Sequence, residues 1–295
     1  RLPAQEQPPA PPVGPLPVAP GGEAALAQRH RPLNVRYFGA KGDGVTDDTD
    51  AIQRCLLQAA TPLYPKFYYR AYVAVPEVFF PQGTYRITRT LLVPICGGDS
   101  GLGLINLRGE KATLQQTDPT QDILYVRLAY RNLIEGLAFE GGRRQIKLWS
   151  RNLDQGHIVI RDCAFRNASG YAIDDQIRKR KKTENPYENL SDMVEPYTIG
   201  ADKQGLPVLT PVDEAPLPHY PFVSTCMRIT RCSFQRCLQG LSLWADWLLM
   251  DDCTIETHPD MNGPAILSGG QLILERVTGL GHATPGKSQR WIEKV

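Results

Sequence analysis

The sequence predicts an all-β solenoid, a parallel β-helix whose coils stack along one axis, with an N-terminal capping α-helix. Two observations predict it. From Val78 onward, short strands recur on one template: a strand, two charged or polar residues, then a small apolar residue. The register residue of that template is Leu137, Cys163, Cys232, Cys253 and Val277, at spacings of 26, 69, 21 and 24 residues. Ahead of the coils, Gly39, Gly42 and Gly44 lead into Thr46, Asp47, Asp48 and Thr49. Those side chains suit the orphan N–H groups and the positive end of a helix running through Ala51, Ile52 and Leu56.

The elements follow in order. Residues 1–32 are Pro-rich with little hydrophobic periodicity, which predicts a disordered or extended leader. A short strand is expected at Val35 to Phe38, then a tight turn and the helix. Residues 61–75 read as an aromatic loop before the first coil, either covering the open N-terminal end or binding something. The β-helix domain is expected over residues 33–295. Its coils include Ile158-Val-Ile-Arg-Asp-Cys-Ala-Phe, Met227-Arg-Ile-Thr-Arg-Cys-Ser-Phe and Leu248-Leu-Met-Asp-Asp-Cys-Thr-Ile. Coil stacking sets equivalent residues about 4.8 Å apart. Leu137, Cys163, Cys232 and Cys253 then form an interior column, with the thiols as small buried hydrophobes. Parallel Cβ vectors disfavour disulfides within it. The 69-residue spacing is one coil plus an insertion, placed at about 175–222. Such an insertion reads as a lid, an oligomer contact or a disordered loop. Past Val277 no end cap is legible, so a homo-oligomer or further chain is expected to cover the last coil.

The bulk numbers exclude more than they name. Net charge is +2 over 295 residues, so no global field demands nucleic acid. No apolar run reaches the roughly 18 residues of a membrane span. The chain opens at Arg1, as a processed or trimmed chain would. Seven cysteines cannot all pair internally, and neither they nor the five histidines have metal-ligand spacing. No phosphate-binding loop, Gly-x-Ser-x-Gly elbow or dinucleotide fingerprint is present.

Asn34-Val-Arg-Tyr-Phe-Gly-Ala-Lys-Gly-Asp-Gly-Val-Thr-Asp-Asp-Thr-Asp-Ala-Ile closely resembles the opening of the pectate-lyase-like superfamily, "V-x-D-F-G-A-x-G-D-G-x-x-D-D-T-x-A-I". Val78-Phe-Phe-Pro-Gln-Gly-Thr-Tyr resembles the same superfamily's "V-x-F-P-x-G-T-Y". The resemblance covers residues 34–90 and implies a right-handed parallel β-helix. It says little about the reaction, because these blocks build the cap and first coil. A second resemblance lies in Ile158 to Gln176. Ser169-Gly-Tyr-Ala-Ile-Asp-Asp-Gln is similar to the "Ser-Gly-Tyr-Gly-Phe-Asp-Pro-His-Glu" of secreted mannuronan C5-epimerases, with Tyr171 and Asp174 at the matching positions. Asp175 and Gln176 depart from that motif where proline and histidine are expected. Glutamine is no general acid or base at neutral pH.

Sugars bind parallel β-helices of this superfamily along one sheet and its flanking turns, so outward residues that stack across coils are the candidates. Aligning Ile146-Lys-Leu-Trp149, Tyr171-Ala-Ile-Asp174 and Leu241-Ser-Leu-Trp244, with first and third residues inward, places Trp149, Asp174 and Trp244 in one column. Indoles flanking a carboxylate offer apolar faces and proton transfer to a sugar; alternatively both rings are buried under the insertion. Asp174, Asp175 and Asp246 are the candidate acids, or turn caps. Arg178 is the candidate cation for a lyase step. Lys179 and Arg180 in the same basic run would attract a polyuronate, or form a solvated loop. Tyr171 is a substrate-binding candidate that the strand pattern could also turn inward. No metal site is expected; Ca²⁺ among Asp174, Asp175 and Asp246 is an option. The expectation is a secreted protein, extracellular, periplasmic or on the cell surface, with a polysaccharide partner, no nucleic acid and no membrane span. It is a polysaccharide lyase or glycoside hydrolase on an acidic polysaccharide. The alternatives are a non-catalytic binding or adhesin-like β-helix, or the N-terminal part of a longer enzyme.

Overall fold

Six coils of the solenoid turn one corner on a residue in the left-handed region. In the computed structural model, which describes residues 32–60, 76–95, 105–127, 132–149, 157–175, 178–179, 193–212, 224–261, 264–281 and 292–294, those corners are Lys111, Gly136, Asp162, Arg231, Asp252 and Arg276, with φ between 48° and 68°. Only one is glycine, so five side chains accept a conformation that ordinarily disfavours them. The stacking holds them there: Asp162 N–H donates to the Thr230 carbonyl at 3.0 Å, Arg231 N–H to Asp251 at 2.9 Å, and Asp252 N–H to Glu275 at 3.1 Å. Outside the corner the side chains form a ladder of charge. Arg231 makes a two-point contact with Asp162 at 2.6 and 2.7 Å, and Arg276 reaches Asp252 at 2.5 Å.

The residue after each corner points inward. Leu137, Cys163, Cys232 and Cys253 are all buried, as the repeat predicts, and Val277 is partly so. Two positions on, Phe139, Phe165 and Phe234 stack face to face with centroids 5.0 and 4.8 Å apart. The six described cysteines are free thiols. Burial pushes Cys55 and Cys237 up to about 12, and the contact with Cys163 does the same for Cys232.

Every pairing in the solenoid is parallel, and the result is the right-handed parallel β-helix expected. Three faces can be followed. Sheet A stacks Leu91–Val93, Leu124–Arg127, Ile146–Trp149, Tyr171–Asp174 and the first parts of Gly240–Asp251 and Ile266–Glu275. Sheet B runs from Leu33–Asn34 and Glu77–Phe80 through Ile158–Arg161 to Leu272–Glu275. Sheet C runs from Asp43–Asp47 through Ala164–Arg166 to Thr278–Leu280.

The N-terminal cap departs from expectation at one point. Val35–Phe38 is a 3₁₀ turn, not a strand, and the strand is Leu33–Asn34. Asn34 accepts from the Arg36 N–H and Gly39, at φ 105°, ends the turn, so capping overrides the apolar pattern. The acids of the glycine-rich stretch are structural. Asp43 accepts from Val45 and Thr46, and Asp48 from the Lys41 and Gly42 N–H groups at 2.6 and 2.9 Å. The Asp48 carbonyl accepts the first helical bond, from Ile52, and opens α1 (Thr49–Ala60). The inner side of α1 buries Ile52, Cys55 and Leu56 completely, at roughly 1.5–3 kcal/mol for each large aliphatic. Gln53 pairs its amide with both backbone groups of Leu92, each at 2.9 Å. A side chain thus closes the exposed edge of the first sheet A strand.

The other end is open among the described residues. Ile273, Leu274, Leu280 and Ile292 are 40%, 37%, 59% and 45% exposed. The described part of the insertion carries two antiparallel pairs, Arg178–Lys179 with Met193–Val194 and a hairpin of Tyr197–Ala201 with Pro207–Pro211. Asp202 fixes the hairpin turn by accepting from Gln204 and Leu206. The leader and the aromatic loop at 61–75 lie outside the described residues.

Candidate functional site

The outer positions of sheet A alternate with its core positions. Tyr125, Lys147, Asp174 and Ser242 fall in one row across four strands, and Arg127 stands beside Trp149 one step further along. This corrects the expected Trp149–Asp174–Trp244 column. Ile173, not Tyr171, pairs with both Ile146 and Leu241, because the strand carries an irregularity between Tyr171 and Ile173. Asp174 therefore sits two residues short of the tryptophans. The face was legible; the register slipped at a bulge.

The hairpin lies over this face. Trp149 is 4% exposed and packs with Leu92, Tyr125 and Tyr197, with Ile199 and Leu209 alongside. It is a covered residue, not an open platform, and its indole N–H is buried with no hydrogen-bond partner in the structure. Asp174 is also buried, its Oδ2 accepting from Lys147 Nζ at 3.0 Å and Arg144 at 3.2 Å. Asp175 is fully buried. Tyr171 is half-buried at the bulge, its carbonyl accepting from the Gln145 N–H. Arg178 and Lys179 lie in the short antiparallel pair with Met193–Val194. Trp244 and Asp246 belong to Gly240–Asp251, with side chains outside the description, and Arg180 lies outside the described residues.

The centre of the covered face is Asp122, which the sequence reading missed. It is fully buried and accepts from Arg143 Nε at 2.9 Å, from Arg144 Nε at 2.7 Å, from the Arg144 N–H and from the Tyr197 hydroxyl. Burial, reinforced by Asp122, raises the Tyr197 phenol above its ordinary range and keeps it neutral. A second anchor lies at Glu195. Tyr125 donates to its Oε1 at 2.8 Å, and Arg127 donates to its Oε2 at 3.2 Å. Burial first and Glu195 second push the Tyr125 phenol well up. A third anchor, Asp202, meets Arg89 at 3.3 Å. Four cations, Arg127, Arg143, Arg144 and Lys147, thus gather on two adjacent coils. The signal was present in the alternation of Leu124-Tyr-Val-Arg127 and Ile146-Lys-Leu-Trp149, but needs every coil to be read. Among the described residues the exposed indole is Trp247, 56% accessible, on sheet B between Cys226 and Gln271.

Asp174 faces two cations, a poor setting for Ca²⁺, and among the described residues no three His, Cys, Asp or Glu side chains gather for a metal. Nor is any described helix long and apolar enough to cross a membrane.

Comparison with known proteins agrees with the geometry. Residues 33–97 match the family model "Rhamnogalacturonase A/epimerase, pectate lyase-like". A proposed glycosyl hydrolase from Parabacteroides merdae superposes with a TM-score of 0.50 at 14% identity, over 83% of this chain and 96% of that one. The chain is a parallel β-helix whose residues 33–97 are similar to the pectate-lyase-like family. Curated relatives share only a short stretch with this β-helix. A 62-residue match is 44% identical to the non-secreted LysM effector LysM19 of Penicillium expansum, and another is 39% identical to a glucan 1,3-beta-glucosidase of Cochliobolus carbonum. Each covers 21% of this chain, which spans 4% and 6% of those relatives. The pectate-lyase-like likeness thus fixes the scaffold, while chemistry has to be argued from sheet A.

Proposed function

We propose that this β-helix works outside the cell on an acidic polysaccharide, bound along the outer face of sheet A. The observation that carries the reading is the gathering of Arg127, Arg143, Arg144 and Lys147 on two adjacent coils, around Glu195, Asp122 and Asp174. Guanidinium groups recognise carboxylates with geometric specificity, and neighbouring coils repeat that contact at strand spacing. In this arrangement the face recognises before it reacts. Asp174 Oδ2 is committed to two cations and Asp175 is covered, so neither reaches a glycosidic oxygen while the hairpin is down. Hydrolysis or β-elimination by Asp174 and Asp175 is the second reading, favoured by two adjacent acids beside cations on a sugar-facing sheet. A panel of polyuronates and neutral glycans tests both. Binding confined to uronates supports recognition. New ultraviolet absorbance from unsaturated products, or new reducing ends, supports the lyase or the hydrolase. Binding to neutral glycans alone would overturn the acidic-polysaccharide reading.

A further inference from the structure

Glu195 is held as a ligand would be held. Its two carboxylate oxygens face two donors from alternate positions of one strand, the Tyr125 hydroxyl at 2.8 Å and an Arg127 terminal nitrogen at 3.2 Å. Tyr125 is fully buried, whereas the side chains of Arg127 and Glu195 are 27% and 25% exposed, so the ion pair meets solvent on one side. The fit is incomplete. Arg127 Nε lies 2.5 Å from Glu195 Oε1 yet makes no aligned hydrogen bond. A carboxylate approaching in the guanidinium plane would engage both nitrogens of the fork. On the next coil Trp149 pairs in register with Arg127, and its indole N–H is likewise buried without a partner. A guanidinium paired out of alignment with Glu195, an indole N–H without a hydrogen bond and a flat apolar ring therefore lie on neighbouring strands beside the hairpin, suited to one sugar acid.

We propose that Tyr125, Arg127 and Trp149 form a uronate subsite, and that Glu195 fills it in the free protein as a built-in competitor. The proposal rests on the acidic-polysaccharide reading and adds to it a subsite and a mode of control. The uronate carboxylate displaces that of Glu195, the ring takes the place of Tyr197, Ile199 and Leu209 over Trp149, and the hairpin is released. No bond is made or broken. Specificity is for a carboxylate on a sugar ring, because the neutral sugar lacks the group that competes with Glu195.

The test is calorimetric titration of the full chain with short oligogalacturonates and oligomannuronates, and with the same oligomers after carboxyl reduction. Glu195→Gln should bind the uronates about tenfold more tightly than wild type, worth ~1.4 kcal/mol. It should leave the reduced oligomers unchanged. Adding Arg127→Gln should abolish the gain. In wild type, the winning uronate should speed amide exchange across 197–211, a readout independent of any variant's folding. Uronate binding by wild type with no gain in Glu195→Gln, or with slower exchange in the hairpin, overturns the competitor and leaves the function standing. Failure of both proteins to bind any uronate overturns the subsite and the function together. An equal gain for reduced oligomers overturns the subsite's carboxylate specificity.

Discussion

Gly42 lies against the ring of Tyr85. A Cβ on Gly42 would stand 2.9 Å from the ring's Cζ, and Gly42 holds φ at +65°. One Cβ further, on Gly83, would meet the Gly42 carbonyl at 2.6 Å. The two sequence blocks that resemble the superfamily are thus two halves of one contact, 43 residues apart. Gly42→Ala is expected to lose about 2–4 kcal/mol of stability, from left-handed strain plus overpacking of a fully buried tyrosine. Urea unfolding of the variant checks this; a loss under 1 kcal/mol would mean the cap relaxes freely.

Asp122→Asn should be among the most damaging single changes beneath the hairpin. It leaves Arg143, Arg144 and Tyr197 around a neutral amide, and breaking a buried ion network by one partner typically costs about 3–5 kcal/mol. Amide exchange should locate the damage in 197–211 and in Leu124–Arg127. Uniform loosening of all coils instead would show that Asp122 supports the solenoid and not the hairpin.

Acid should destabilise the cap and the corner ladder. The Thr46 and Val45 N–H groups hold the Asp43 carboxyl at about 2, below its ordinary 3.8. Arg231 and Arg276 likewise lower Asp162 and Asp252. Below the ordinary carboxylate value the unfolded chain takes up protons first. Their contribution is therefore whole above about pH 4 and, for Asp43, is lost as pH falls toward 2. Denaturation midpoints measured across this range should fall, and Asp43→Asn should fall less steeply. An identical slope in that variant would remove Asp43 from the account.

Trp149 and Trp247 should separate cleanly. Trp149→Ala opens a cavity under the hairpin and is expected to cost about 3–5 kcal/mol. Trp247→Ala, at a site 56% exposed, should change stability by no more than about 0.5 kcal/mol. Thermal unfolding distinguishes them, and equal losses would contradict the burial of Trp149.

The coil architecture was readable because its constraint is local and repeated. Leu137, Cys163, Cys232 and Cys253 each follow a left-handed corner, so one template recurs wherever the chain turns. The cap was readable for a similar reason, although a local side-chain cap at Asn34 turned an apolar run into a 3₁₀ turn. The site was harder. Alternation placed Asp174 on the correct face, but one irregularity near Ala172 shifted it by two residues. Asp122 and Glu195 carry no motif. Their roles arise only when the hairpin folds back across coils separated by about 70 residues of sequence.

The corner ladder carries a rule of parity. From coil to coil its signs run Asp162, Arg231, Asp252, Arg276. Excise the coil bearing Arg231 and Asp162 comes to rest on Asp252; excise the one bearing Asp252 and two arginines meet. Like charges directly opposite on neighbouring strands repel. At this end the solenoid can lengthen or shorten in pairs of coils and keep its ladder, but a single-coil change leaves a mismatch at the corner.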